Sequence, residues 1–169
     1  MLSPSKHGAQ GPSLPPFDKQ DDTLFILLKW RYLASMDQTL KFIGTIHSEL
    51  KNLDDCPRQE DEGAPEATIE IFPEYLEGAQ NISEGDEILL LTWLHLGDRT
   101  VLKLKPRNNP NAPMTGVFST RSPDRPNPIG IHAVKVVSVD GAMIKISGIE
   151  ALDQTPVIDI KHIWHFKAQ

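Results

Sequence analysis

The sequence predicts a mostly β domain, built as an antiparallel barrel or sandwich rather than as a doubly wound α/β fold. Many short β-prone runs follow one another after Lys41, with turn residues between them, as in small all-β folds. Two of these runs flank Asp140-Gly141, which is a strong hairpin signal. Strands and helices do not alternate regularly and no Gly-x-Gly-x-x-Gly motif occurs, so a Rossmann fold is not expected.

The composition of the first 40 residues predicts an N-terminal extension, which precedes a domain at residues 41–166. Residues 1–22 are polar and punctuated by proline and glycine, a composition typical of disordered chain. Residues 23–35 have the spacing of a short helix, although that helix is apolar almost all round. Met36 opens a cleaner pattern, and one hypothesis is that it is the natural start of the protein.

The β-prone runs differ in pattern, and the pattern predicts how each strand is buried. Residues 67–72 alternate between apolar and polar side chains, as a half-buried strand does. Residues 87–96 are nearly all apolar, which predicts a strand covered on both faces. The other predicted strands are 42–46, 100–104, 116–119, 131–139, 143–149 and 157–160, with one helical turn at 73–80.

Composition argues against several classes of protein. No apolar run approaches the roughly 18 residues that a membrane helix needs, and no signal-peptide pattern is present, so we expect a cytoplasmic protein. Cys56 is the single cysteine, and its acidic neighbours disfavour a reactive thiolate. His162 and His165 have a spacing that a metal ion can use, but two ligands are too few for a metal site.

The net charge of −6 is unevenly distributed along the chain. Residues 49–87 hold 13 acidic residues against Lys51 and Arg58, whereas residues 103–135 hold six basic residues against Asp124 alone. An acidic protein is not an obvious nucleic-acid binder, but a basic stretch can form a local anion site. Solvation of surface loops explains the lysines equally well.

The most informative segment is the loop at residues 116–130, Gly-Val-Phe-Ser-Thr-Arg-Ser-Pro-Asp-Arg-Pro-Asn-Pro-Ile-Gly. Its three prolines restrict the backbone, so the loop can hold Arg121, Arg125 and Asn127 with little conformational freedom. Arginine offers a planar fork of donors to a carboxylate or phosphate, and asparagine offers both a donor and an acceptor. The alternative is a structural turn whose arginines pair with surface acids.

This loop, which we call the signature loop, closely resembles the signature of the TsaA/TrmO-like family. Five further segments match in the same order: Phe42–Ser48, Pro57-Arg58-Gln59, Ile69–Gly78, Trp93-Leu-His95 and Leu152–Lys161. The resemblance covers residues 42–163. It implies a small β-barrel that binds S-adenosylmethionine outside the Rossmann scheme and pairs as a homodimer. The best-known members methylate N6 of a threonylcarbamoyl adenosine beside the tRNA anticodon.

The resemblance also assigns the cofactor contacts. They fall on Arg58, Gln59, Glu60, Leu94, His95, Arg121, Ile131, Ser147, Gly148, Ile149 and Glu150. Arg121 is suited to the methionine carboxylate, and the backbone of residues 147–150 is suited to the adenine edge, with Gly148 allowing close approach. Glu150 is suited to accept from the ribose hydroxyls or to offset the sulfonium charge.

Three more residues, Arg125, Asn127 and Asp153, are candidates for the substrate site or the structure of the signature loop. Methyl transfer to an amine needs alignment more than acid–base chemistry, so the sequence nominates no catalytic base.

The chain also departs from the family pattern. Many members carry Ser-His-Ile-Trp where this sequence has Asp86-Glu87-Ile88-Leu89, and Glu60 stands where some members have proline. The sequence ends at Gln169, without the second domain of the bacterial tRNA enzymes. These departures bear on tRNA as a partner more than on the cofactor. Two functions therefore stay open: a methyltransferase for an RNA adenosine or a related acceptor, and a non-catalytic module that senses S-adenosylmethionine.

Overall fold

The computed structural model describes residues 22–34, 39–57 and 62–163. The chain divides into two units, Met1–Leu40 and Lys41–Gln169. The predictions made for residues 1–21, for Met36 and for His165 lie outside the described residues.

In the first unit, helix α1 (Asp22–Ala34) occupies the range that the sequence predicts to be helical. Among its described side chains, four large apolar ones are exposed, namely Ile26, Leu27, Leu28 and Trp30. No helix in the described ranges is long and apolar enough to cross a membrane.

The second unit is a mostly β domain whose main sheet closes into an antiparallel barrel, which confirms the predicted fold class. The barrel strands are β1 (Gly44–His47), β2 (Ala67–Ile71), β3 (Glu87–Trp93), β6 (Ile129–Asp140), β7 (Met143–Ile146) and β8 (Pro156–His162). A separate two-stranded sheet consists of β4 (Lys103–Leu104) and β5 (Thr115–Gly116). The order around the ring is β1-β2-β7-β6-β3-β8, and β8 pairs again with β1.

Closure depends on strands that change partner along their length. Residues 129–135 of β6 pair with β3, and its later residues pair with β7, with a register shift between Val136 and Ser138. Strand β8 pairs with β1 only at its first residues, Pro156 and Val157, and with β3 from Val157 to His162, and its pairing with β3 shifts between Leu91 and Thr92. Such irregularities increase the local bend and twist of a strand, which a small closed barrel requires.

The core lies inside the barrel and consists of inward-facing side chains of successive strands. In β2, for example, Ala67, Ile69 and Ile71 are buried while Thr68 and Glu70 are partly exposed, as the alternating pattern predicts. Full burial of an isoleucine side chain contributes roughly 1.5–3 kcal/mol to the stability of the fold. The core is almost entirely aliphatic, so the few buried polar groups beside it need specific hydrogen-bond partners.

The prediction that residues 87–96 form a strand covered on both faces is wrong for the described chain. Strand β3 ends at Trp93, and its burial alternates. Ile88, Leu90 and Thr92 face inward and are buried, whereas the alternate positions Leu89, Leu91 and Trp93 are only partly buried. The apolar run therefore supplies the barrel core on one side and an apolar outer surface on the other.

The predicted short strands around the signature loop also need correction. Only Lys103–Leu104 of the predicted strand at 100–104 is extended in a sheet, because Thr100 is held in a turn by hydrogen bonds to Asp98. The strand predicted at 116–119 is mostly a 3-10 turn, Val117–Ser119, which follows the two residues of β5. The one helical turn predicted at 73–80 is a 3-10 helix, Pro73–Ala79.

The predicted hairpin between β6 and β7 is present, but its turn differs from the Asp-Gly type. Asp140 pairs with Met143, so the two loop residues are Gly141 and Ala142. Gly141 has a φ of 56°, in the left-handed region that glycine enters without steric cost. Glycine at the first loop position is the requirement of a type II′ turn, which suits the twist of a hairpin. Strand β7 ends at Ile146, three residues before the predicted end.

Gly44 permits the closest packing between barrel strands. It pairs with Ile71 of β2 on one side and with Val157 of β8 on the other. A Cβ atom at this position would overlap the backbone carbonyl of Glu70. Because that neighbour is backbone and not a flexible side chain, it cannot move aside without disturbing the β1–β2 ladder.

We expect Gly44→Ala to lower the free energy of unfolding by about 1–3 kcal/mol, the usual cost of forcing an extra methyl group into a packed site. Gly78→Ala is the matched control, since a Cβ atom there has no neighbour within 4 Å, and its effect should stay within about 0.5 kcal/mol. Urea unfolding followed by circular dichroism measures both. Equal stabilities of the two variants would contradict this account of β1.

Candidate functional site

The signature loop is held in shape by Arg125. Its guanidinium group donates hydrogen bonds to the carbonyl oxygens of Ser122 (2.7 Å), Val117 (3.1 Å) and Thr120. One side chain thus satisfies three carbonyls of an irregular segment that has few backbone partners of its own. Arg125 is oriented into the loop and helps to determine its shape.

Arg121 behaves differently from Arg125, although it lies only four residues away. It is exposed, and its Nη2 donates to the carbonyl oxygen of Ile131 at 2.6 Å. This bond ties the signature loop to the first residues of β6 and leaves other guanidinium donors available. Asn127 is exposed, and its backbone carbonyl accepts from the amide of Ile129 at 2.8 Å.

A buried chain of hydrogen bonds runs from β3 through β6 to the segment after β7. His132 Nε2 lies 3.0 Å from Thr92 Oγ1, and His132 Nδ1 lies 3.0 Å from Glu150 Oε1. Thr92 and His132 are 0% and 2% exposed, so water does not compete for these bonds. We refer to Thr92, His132 and Glu150 as the His132 chain.

Gly130 makes room for the His132 chain. A Cβ atom at Gly130 would overlap Thr92 Oγ1 and would lie 2.7 Å from His132 Nε2 and 3.1 Å from a methyl group of Leu94. The glycine that ends the signature loop therefore allows the Thr92–His132 hydrogen bond to form. Leu94 also packs against Gly130. Its amide donates to the Pro128 carbonyl at 2.8 Å.

The Glu150 carboxylate is ionised, and only one of its two oxygens has a hydrogen-bond partner. Burial alone would raise its pKa, but the hydrogen bond and charge of His132 hold the pKa below its ordinary value, with smaller contributions from the Glu150 backbone amide and from Arg121. Oε1 bonds His132, whereas Oε2 is buried and has no hydrogen-bond partner. Such an orphan acceptor is uncommon in folded proteins and calls for an explanation.

The segment that leads to Glu150 packs tightly against the preceding loop. A Cβ atom at Gly148 would overlap the carbonyl of Ala64, and the Ile149 amide donates to the Pro65 carbonyl at 3.1 Å. Ser147 Oγ accepts from the Lys135 amide at 2.9 Å. The close approach predicted for Gly148 is therefore occupied, in this structure, by the chain's own backbone.

The charge of Glu150 also acts on the thiol of Cys56. Burial is the largest cause that raises the pKa of its thiol, followed by the charges of Asp55 and Glu150. The thiol is therefore protonated at neutral pH, which agrees with the sequence argument against a reactive thiolate. The effect of Glu150 also indicates that the loop before residue 58 approaches the Glu150 region.

The structure brings together part of the predicted cofactor set. These residues gather around positions 130–132 of β6: Leu94 lies against Gly130, Arg121 binds the Ile131 carbonyl, and Glu150 binds His132. His95 lies exposed directly after Leu94. Arg58, Gln59 and Glu60 lie outside the described residues. Asp153 has other neighbours: it binds the Ser48 amide and Lys51, and it lines a separate cleft of about 540 Å³.

Sequence reasoning missed Thr92, Gly130 and His132 as parts of this site. A signal existed, because the alternation of β6 places residue 132 on the inward face together with the apolar positions 134 and 136 that follow it. A polar residue on an inward face needs a partner. That partner could not be identified without the three-dimensional arrangement. Within the described ranges, no group of three metal-ligating side chains occurs.

Comparison with known proteins gives a consistent result. Residues 45–166 match the model of the tRNA-methyltransferase O N-terminal domain. A probable S-adenosyl-L-methionine-binding protein of Methanothermobacter thermautotrophicus is 39% identical over 129 residues, which cover 76% of this chain and 92% of that protein. An S-adenosyl-L-methionine-binding protein of Archaeoglobus fulgidus is 39% identical over 122 residues, which cover 72% of this chain and 86% of that protein.

Solved structures have the same fold. A crystal structure of TrmO aligns with a TM-score of 0.61 and 30% sequence identity over 79% of this chain and 63% of that one. A crystal structure of TrmO from Pseudomonas aeruginosa aligns with a TM-score of 0.60 and 28% identity over 79% and 61% of the two chains. The present chain thus spans about three-fifths of the length of these TrmO chains.

The pKa of Glu150 leads to a prediction about stability. Because the pKa in the folded state lies below the ordinary value of 4.5, the carboxylate stabilises the fold above that pH and stops doing so as the pH falls through the folded-state value. We expect Glu150→Gln to lower the free energy of unfolding by about 1 kcal/mol at pH 7, with a smaller difference from the wild type at pH 3.

Urea unfolding at the two pH values measures this difference. Glu66→Gln is the control, because Glu66 forms an exposed ion pair with Lys145 of the kind that contributes little. A Glu150→Gln effect that stays constant, or grows, as the pH is lowered would show that the charge of Glu150 does not stabilise the fold.

Proposed function

Because this chain belongs to the family of the tRNA-methyltransferase O N-terminal domain, we propose that it is an S-adenosylmethionine-dependent methyltransferase. The observation that carries the proposal is that the exposed Arg121, bound to the Ile131 carbonyl, lies close enough to the half-satisfied Glu150 to lower the pKa of its carboxyl group. The curated relatives that match most of the chain are named for binding S-adenosyl-L-methionine.

The residues present fit this cofactor. S-adenosylmethionine carries a carboxylate, which suits the free donors of Arg121, and ribose hydroxyls, which suit the unpartnered Oε2 of Glu150. The carboxylate of Glu150 equally suits the positive sulfonium, so both roles for it stand. Leu94 and Ile131 offer apolar contact beside these charges. The amides of Ser147 and Ile149 already donate to Lys135 and Pro65, so we assign the base edge only to the backbone groups of residues 147–150 that do not bond the chain itself.

The cofactor, when bound, supplies the methyl group. The protein's task is to orient the acceptor nitrogen towards that methyl group, since orientation can supply a large part of the rate enhancement. Arg121 and Glu150 would hold the cofactor, which would supply an electrophilic methyl group to the acceptor nitrogen, and the proton of that nitrogen would pass to solvent. Rigid anchors such as the loop braced by Arg125 serve this purpose better than a proton-transfer group does.

The acceptor that we propose is N6 of an adenosine in tRNA, within the threonylcarbamoyl adenosine next to the anticodon, or a related amine. The family model is named for a tRNA methyltransferase, and the TrmO structures share the fold. Basic side chains at Lys103, Lys105 and Arg107 precede the signature loop in sequence and suit phosphate contacts.

A second function is a non-catalytic module that binds or senses S-adenosylmethionine. It is supported by the names of the curated relatives, which state binding and no transfer. The strongly acidic residues 49–87 also oppose the approach of a polyanion. The two functions share one pocket and differ in whether an acceptor is methylated.

We also propose that two copies of the chain pair through the outer face of β3 and β6. Three successive cross-strand pairs on this face are apolar: Leu89–Ala133, Leu91–Ile131 and Trp93–Ile129. Ile129 and Ile131 are 38% and 49% exposed, and a contiguous apolar patch of this kind is typical of an interface. We choose a second copy as the partner because a twofold axis through this face would bring the same apolar side chains together from both chains, and Ile131 places the face beside the proposed cofactor site.

The first experiment is calorimetric titration of the purified protein with S-adenosylmethionine, in parallel with Arg121→Ala. We expect saturable binding by the wild type and at least tenfold weaker binding by the variant, or about 1.4 kcal/mol, because a carboxylate loses its fork of donors. Arg31→Ala is the control, since Arg31 is an exposed arginine on α1, and it should bind as the wild type does.

Transfer of a labelled methyl group to bulk tRNA that lacks its own modification then separates the two functions. Incorporation supports the enzyme, and binding without turnover supports the sensor. If the folded wild type does not bind S-adenosylmethionine, both functions are wrong.

The pairing surface is tested by sedimentation velocity of the wild type and of Leu91→Lys. We expect a dimer in the wild type and a shift towards monomer in the variant, because a charge in the centre of an apolar interface is poorly solvated. Leu76→Lys provides the control, since Leu76 is exposed on the 3-10 helix Pro73–Ala79. A monomeric wild type, or equal association of both variants, contradicts the proposed interface.

A further inference from the structure

His132 is the one histidine among the buried polar residues of the described chain, and it makes two specific hydrogen bonds. Its position is built into the fold, because β6 carries it on the inward face and Gly130 clears the space for its contact with Thr92. A histidine held at both ring nitrogens cannot rotate. The residue that it contacts at Nδ1 is Glu150, the group proposed above to face the cofactor.

The protonation of this chain follows from the partners. The carboxylate of Glu150 is ionised and can only accept, so Nδ1 of His132 must donate. Nε2 accepts from the buried hydroxyl of Thr92 when the ring is neutral and donates to its oxygen when the ring is charged. Both ring nitrogens of His132 are thereby used, and the hydrogen bond from His132 to Glu150 has the same direction in either state.

This arrangement has the order of a nucleophilic triad, but it cannot act as one. In a triad the hydroxyl group must reach the substrate, whereas Thr92 is 0% exposed and faces the barrel core. At the other end of the chain, the Glu150 side chain is 18% exposed and its Oε2 has no partner. Any function of the His132 chain is therefore exerted through the carboxylate and not through the hydroxyl group.

We infer that His132 is a positioning residue, which holds Oε1 of Glu150 so that Oε2 is presented to the ligand of this site. The inference rests on the proposed function, because it assumes that a ligand with a hydroxyl or a positive charge binds next to Glu150. It accounts for the orphan acceptor: Oε2 lacks a partner in the protein because its partner is the ligand.

Fixing the carboxylate in advance favours binding in two ways. The rotational freedom of the Glu150 side chain is already lost before the ligand arrives, so less entropy is lost on binding. The protein also carries an unsatisfied buried acceptor, whose penalty is relieved when a ligand donor reaches it. A freely rotating glutamate would instead be solvated by water, and both advantages would disappear.

His47 provides an internal comparison on the same barrel. Its Nε2 lies 2.6 Å from Glu70 Oε2, and the two side chains are 38% and 45% exposed. The His47–Glu70 pair repeats the chemistry of the His132–Glu150 pair, but it lies on β1 and β2 and involves none of the proposed cofactor residues. Substitutions at His47 therefore control for the loss of a histidine–carboxylate pair as such.

The test compares calorimetric titrations with S-adenosylmethionine for His132→Asn, His132→Leu and His47→Leu. Asparagine retains a side-chain N–H donor close to the Nδ1 position, whereas leucine retains none. We expect at least tenfold weaker binding by His132→Leu, partial recovery in His132→Asn, and unchanged binding by His47→Leu. A fall of equal size in both His132 variants, or no fall in either, overturns the positioning role.

Because His132→Leu can also prevent folding, a second measurement uses the wild-type protein. Nitrogen NMR of labelled histidine reports which ring nitrogen carries the proton. We expect a proton on Nδ1 of His132 at pH 7, and a change in its ring resonances when S-adenosylmethionine saturates the site, without a change at His47. Unchanged His132 resonances on saturation contradict the inference.

The two levels of the proposal fail in different ways. If the wild type does not bind S-adenosylmethionine, the proposed function is wrong. If the wild type binds and Arg121→Ala weakens binding, but neither the His132 variants nor the His132 resonances respond, then the function stands and the role of His132 is wrong.

Discussion

Strand β6 is the element on which both the barrel and the site depend. It joins two halves of the ring by pairing first with β3 and then with β7. Its first residues continue the signature loop, so Gly130, Ile131 and His132 are placed by the barrel and not by a flexible segment. Because one strand holds the loop anchor, the buried histidine and an exposed apolar residue, the geometry of the site is as rigid as the sheet itself.

The fold could be predicted because its signals are local. Alternation in residues 67–72, the Asp140-Gly141 turn and the absence of a dinucleotide motif are each visible in a short window of sequence. The two-sided burial of β3 was mispredicted because an apolar run specifies no partner for its second face. The short strands near the signature loop were mispredicted because side-chain hydrogen bonds, such as those of Thr100 to Asp98, compete with strand pairing.

The site was predictable only in part, and for a related reason. Arg121 and Arg125 are the same residue type in the same loop, but their roles differ. Arg121 is exposed and bonds a carbonyl of β6, whereas Arg125 donates to three carbonyls of its own loop. Nothing in the residue types separates these roles. The His132 chain joins residues 40 and 18 positions apart, so it exists only after the barrel has closed.

The closed ring also determines how this domain can meet other chains. Each of the six described strands of the ring has a neighbour on both sides, although β6 pairs with β3 and with β7 over different residues. No described strand of the main sheet is therefore an edge strand along its whole length. Recognition by strand addition, the route that many peptide-binding and aggregating sheets use, is thereby disfavoured. Partners must recognise side chains and loops, and specificity can change through surface substitutions while the backbone ladder stays intact.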